Sequence, residues 1–117
     1  MSTYDTPFYD RAISLVEQHI GACLPARGMF VSNEHWLKTW PGVLRGLSSV
    51  AFFVDEEGFV GRGVHKEVHD AHNKGLPVWF VPRDGSAPTK VHPQVLVVWK
   101  GGESWRQYAR IAQGEKA

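Results

Sequence analysis

Cysteine is almost missing from this sequence. Cys23 stands alone, which excludes an internal disulfide and any metal cluster built on several thiolates. With no partner thiol it reads as a small, partly buried apolar residue rather than a nucleophile. Charge of one sign is also missing. Thirteen Lys and Arg stand against twelve Asp and Glu, a formal net charge of +1, so nothing electrostatic points to a nucleic-acid polymer or an anionic membrane. No apolar run approaches membrane-spanning length. The opening MSTYDTPFYDR has neither a basic region nor an apolar core, so a signal peptide is not expected and a cytoplasmic location is. Repeats, low-complexity tracts and linkers are absent too. The 117 residues are long enough for one domain with a core of its own. Aromatic residues, by contrast, are plentiful. Five tryptophans are many for this length and suggest aromatic surface beyond the needs of a core.

Along the chain, Thr6-Pro7 is a helix start, and Phe8, Ala12, Ile13, Leu15, Val16 and Ile20 follow helical spacing up to Gly21. A short apolar run predicts a strand near 28–32. Ser32 or Asn33 caps a second helix carrying Trp36, Leu37, Trp40, Val43, Leu44 and Leu47, with a kink or break expected at Pro41. The continuous apolar runs SSVAFFVD, LPVWFV (76–81) and QVLVVW (94–99) predict strands covered on both faces. Between the first two lies a helix from about Val64 to Asn73, ended by Lys74-Gly75. ESWRQYARIAQ predicts a last amphipathic helix with Ser104 as its cap. Buried strands alternating with helices imply an α/β fold, a small three-layer sandwich of about four mostly parallel strands with helices on both faces (Rossmann/flavodoxin-like). Ligands in such sheets bind beyond the carboxyl ends of the strands. Here that edge comprises Asp55-Glu56-Glu57-Gly58, Pro82-Arg83-Asp84-Gly85 and the region of Ser32-Asn33.

His65, His69 and His72 fall within roughly 60° of one another on the predicted helix. A metalloprotease helix places glutamate directly after its first histidine, but Lys66 holds that place and Glu67 points to roughly the opposite side. His65 and His72 are also about 10 Å apart along the axis, too far to share one ion. No metal site and no cofactor are therefore predicted, and the histidines read as a helix face. Glu67 lies beside the apolar stripe, about 40° from Ala71, in the first turns of a helix that begins among glycines. A carboxylate so placed is either a partner of the helix dipole or a partly desolvated site residue.

The order VAFFVDEEGFVGRGVHKEVHDAHNKGLPVWFV resembles the core of the nucleoside 2-deoxyribosyltransferases and their N-glycosidase relatives. It shares with them an apolar strand, an acidic turn, a Gly-x-x-x-Glu helix start (Gly63, Glu67), and a Lys74-Gly75-Leu76-Pro77-Val78 entry to the next strand. The likeness spans residues 34–82. It implies that Glu67 is the nucleophile that attacks the anomeric carbon of a nucleoside or nucleotide, with Asp55 as its catalytic partner. It further implies that Glu57 meets the sugar hydroxyls, that Gly61 and Gly63 admit the substrate to the backbone, and that Trp36 or Trp40 stacks on the base. Arg27, Arg62 or Arg83 would then face a phosphate. A homodimer or larger assembly is implied as well, because such sites are commonly built across subunits. Two departures stand out. Ser48-Ser49 occupies the place of the family's aspartate before the strand, and the family's opening strand has no counterpart before Pro7. The alternatives are therefore an inactive nucleotide-binding module of the same fold and a protein-interaction domain using its surplus tryptophans.

Overall fold

A computed structural model of the chain describes residues 8–21, 33–98 and 109–111. The predicted strand at 28–32, Cys23 and Arg27 lie outside them. Helix α1, Phe8–His19, buries Phe8, Tyr9, Ala12, Leu15 and Val16. It stops where the amides of Ile20 and Gly21 both turn back onto the Val16 carbonyl, with Gly21 at φ +149°. Helix α2, Asn33–Arg45, runs unbroken through Pro41. The break expected there does not occur. Trp40 before the proline and Leu44 after it are buried in one core, and Trp36 packs against the same core, so tertiary burial holds the helix together despite the lost backbone donor.

Strand β1, Val50–Phe52, leads through the acidic turn to β2, Phe59–Val60. Helix α3, Arg62–Asn73, follows, and then β3, Val78–Phe80, and β4, Thr89–Lys90. A single 3-10 turn, Pro93–Val95, precedes β5, Leu96–Val98, and the last element is β6, Ala109–Ile111. The strands form two small sheets. In the first, β1 pairs in parallel with β3 (Val50 opposite Val78, Phe52 opposite Phe80), and β4 pairs antiparallel with β3. In the second, β6 lies between β2 and β5 and is antiparallel to both. The fold is α/β, but among the described residues one strand pair is parallel and three are antiparallel, in two sheets rather than one.

The predicted final helix is corrected at 109–111, which are strand. Ala109 is fully buried, and the Arg110 guanidinium lies 5.1 Å from the centre of the Phe59 ring. Pairing with β2 and β5 thus decides a stretch whose apolar spacing suits either period.

The run VAFFV is covered on both faces, as its continuous apolar character predicts. Phe52 and Val54 join a core with Trp40, Leu44, Val60, Val64, Val68, Ala71 and Val78. Ala51 and Phe53 point the other way, into a second core formed by α1 and Val81. Helices therefore lie on both sides of the β1–β3 pair. No helix among the described residues is long and apolar enough to cross a membrane.

Candidate functional site

Helix α3 organises the region that the sequence singles out. Its buried stripe is Val64, Val68 and Ala71. On a helical wheel Glu67 and Asp70 flank that stripe on one side and the histidines on the other. Each flank meets a different neighbour.

The carboxylate flank meets α2. Trp36 donates its indole N–H to Glu67 Oε2 at 2.8 Å, and Trp40 donates to Asp70 Oδ2 at 2.9 Å. The spacing follows from the helices themselves. Residues four apart on α2 and three apart on α3 each lie about one turn along, so two bonds form between helices running in the same sense. Asp70 also accepts from Lys66 Nζ at 2.9 Å. Sequence reasoning singled out Glu67 and passed over Asp70. The signal available was this matched pair of spacings. Trp36 and Trp40 thus meet the predicted nucleophile's helix, but through their N–H groups. Trp40 is buried in the core, and its bond to Asp70 makes it an anchor between the two helices.

The histidine flank faces the 3-10 turn. The rings of His65 and His69 lie 4.3 Å apart, and His72 stands edge-on to His92 at 4.4 Å. His92 Nδ1 accepts from the Gln94 amide and caps that turn. Burial lowers the pKa of His65, and neighbouring His69 lowers it further. His69 is lowered chiefly by burial, with Asp70 opposing and His72 and His92 adding to the effect. Its Nε2 is buried without a hydrogen-bond partner among the described residues. No three His, Cys, Asp or Glu side chains among the described residues are grouped to hold a metal ion.

The strand-end loops are built by their own carboxylates. Asp55 Oδ1 accepts from the amides of Glu57 and Phe59, both at 2.9 Å, and Gly58 closes the turn at φ +89°. Asp55 is therefore committed to its turn, and Glu57 is exposed there. Asp84 behaves alike, accepting from the amide and hydroxyl of Ser86, which hold its carboxyl below the usual range. Arg83 donates to the Val54 carbonyl at 3.1 Å and covers the Phe8 ring at 4.9 Å, so it ties the two loops to α1. Arg62 is exposed at the first position of α3. Gly61 is the buried residue before the helix, in ordinary extended conformation, and Gly63 faces open space.

The chain matches no protein-family model, and no curated protein or solved structure is significantly similar to it. The site must be read from its own chemistry. That chemistry is a half-buried glutamate held by an indole donor, one turn from a second such pair. A shallow groove of about 310 Å³ opens beside that second pair, between α2 and α3.

Proposed function

We propose that this protein is a nucleoside- or nucleotide-directed domain of the N-glycosidase and deoxyribosyltransferase type, with Glu67 as the carboxylate that meets the sugar. The observation that carries the reading is the Trp36–Glu67 bond at 2.8 Å. It fixes one carboxylate oxygen from the α2 side in a partly buried setting, the kind of hold that positions a nucleophile. In the corresponding reaction a Glu67 oxygen bonds to the anomeric carbon as the carbon–nitrogen bond breaks. The electron pair leaves with the base, which takes up a proton. Water or a second base then displaces Glu67 from the carbon, gives up a proton, and restores the carboxylate. On this reading β1 and β3 are the parallel centre of a Rossmann/flavodoxin-like sheet. A cytoplasmic homodimer or larger assembly belongs to the same proposal.

A second reading is a binding module without chemistry, favoured by Asp55. Both amide bonds to its Oδ1 serve the turn, so that oxygen is held in the loop rather than offered to a substrate. The third reading, surplus tryptophans forming an interaction patch, has little support from the described ones. Trp36 and Trp40 bond to α3, and Trp79 lies under Lys90 Nζ at 5.5 Å.

Incubation with a panel of nucleosides and nucleotides, followed by chromatography for free base, tests the proposal. Glu67→Gln is the control, because its amide oxygen still accepts from Trp36 and preserves the fold. Base release by the wild type and not by the variant is expected. Equal release by both would remove Glu67 from the mechanism. No release, with thermal stabilisation by a panel member in both proteins, would establish the binding module.

A further inference from the structure

We propose that the groove between α2 and α3 is a binding site for an aromatic phosphate monoester, a flat apolar body carrying a dianion. At about 310 Å³ it stands at the lower end of the roughly 300–1,000 Å³ range of small-molecule sites. Its apolar wall comes from α2: Leu37, Pro41 and Leu44, with Trp40 at the base. Leu37 is 51% exposed, a large apolar side chain directed at the groove rather than the core. Such a wall suits a ring and not a hydrated ion.

The charges give the second half of the argument. Arg45, Lys66 and Lys74 line the groove with Asp70 as the one carboxylate. Lys66 and Trp40 both engage that carboxylate at 2.9 Å, which spends its charge locally. Arg45 and Lys74 have no ion pair among the described residues. The indole pairings show that α2 and α3 run in the same sense, so both helices end at the same side of the groove and bring these two cations there. A basic residue at each helix C-terminus is ordinary dipole compensation. That accounts for the charges alone and leaves the half-exposed leucine and the apolar trough beside them without a role. A ligand with both an aromatic face and a dianionic end uses all of them, the guanidinium by bidentate hydrogen bonding and the ammonium as a point charge.

Titration of isotope-labelled protein with phenyl phosphate, followed by amide and indole resonances, is the test. We expect saturable shifts at the Trp40 indole and around Leu37, Arg45 and Lys74. Inorganic phosphate and phenol are each expected to bind at least about tenfold more weakly, because each supplies half of the complementarity. The Arg45→Ala/Lys74→Ala variant should weaken phenyl phosphate by about tenfold or more while its denaturation midpoint stays near the wild type's. Absence of saturable shifts, shifts centred elsewhere, equal binding of inorganic phosphate, or unchanged binding in the double variant would overturn the proposal. Phenyl phosphate has no glycosidic bond and Glu67 does not line the groove, so this result is independent of the base-release experiment.

Discussion

Asp70 Oδ2 accepts from two donors at the same 2.9 Å, the Trp40 indole and the Lys66 ammonium. Distance does not rank them, but burial does. Trp40 is 7% exposed, whereas the side chains of Lys66 and Asp70 are 47% and 27% exposed. A buried N–H that loses its acceptor bears its desolvation cost in full, while an exposed ammonium returns to water. Asp70→Ala should therefore destabilise the fold by about 1–3 kcal/mol, against no more than about 0.5 kcal/mol for Lys66→Ala. Urea midpoints of the two variants provide the check. Equal losses would mean that the ion pair within α3 accounts for the whole effect and that the indole bond to α2 adds no stability. The same comparison bears on Glu67, whose bond to Trp36 is the neighbouring rung of the same ladder.

At the scale of the element, α3 is held by three different kinds of contact, and its histidine flank gives it a pH dependence. His65 and His69 both have pKa values lowered from 6.5, mainly by burial. The unfolded chain therefore takes up protons first as pH falls through about 6.5, and the native state follows only at lower pH. Stability contributed by these neutral imidazoles is present above that value and is lost below it. His72 and His92 reinforce the effect on His69, and Asp70 opposes it. Chemical denaturation should show stability falling between about pH 7.5 and 6, where free carboxylates do not yet titrate, with His65→Gln/His69→Gln flattening the slope. A flat wild-type profile, or an unchanged slope in the variant, would contradict this account. Of the elements themselves, α1, α3 and the runs that became β1 and β3 were legible, because their apolar periods are long or unbroken. β2 was not, since two residues carry no period, and β6 was read as helix because pairing partners distant in sequence determine it. At the site, Glu67's place beside the buried stripe was legible from helical geometry. The indole bonds joining α2 to α3 were not, because they depend on how two helices dock. Asp55 was read as the catalytic partner of Glu67, and only the turn geometry shows one of its oxygens engaged by the amides of Glu57 and Phe59.

At the scale of the whole molecule, the two cores meet at β1, and their sizes differ. One joins α2, α3 and strands of both sheets through residues as buried as Val60, Val68 and Val78. The other consists of α1 laid against Phe53, Val81 and Ala51. Phe53 is the hub of that smaller core. Its ring meets Phe8 edge-on at 5.2 Å and Tyr9 at 6.3 Å. Among the described residues α1 reaches the rest of the protein through few side chains, so it is expected to be the less stable unit and to open before the larger core does. Phe53→Leu keeps an apolar side chain but removes both aromatic pairs, a loss of about 1–2 kcal/mol that falls on α1 alone. Native-state amide exchange should then show α1 losing about tenfold in protection while α3, packed on the opposite face of the β1–β3 pair, keeps its own. If α1 and α3 lose protection by the same factor, the two cores open together, and the β1–β3 pair couples the helices on its two faces into one cooperative unit.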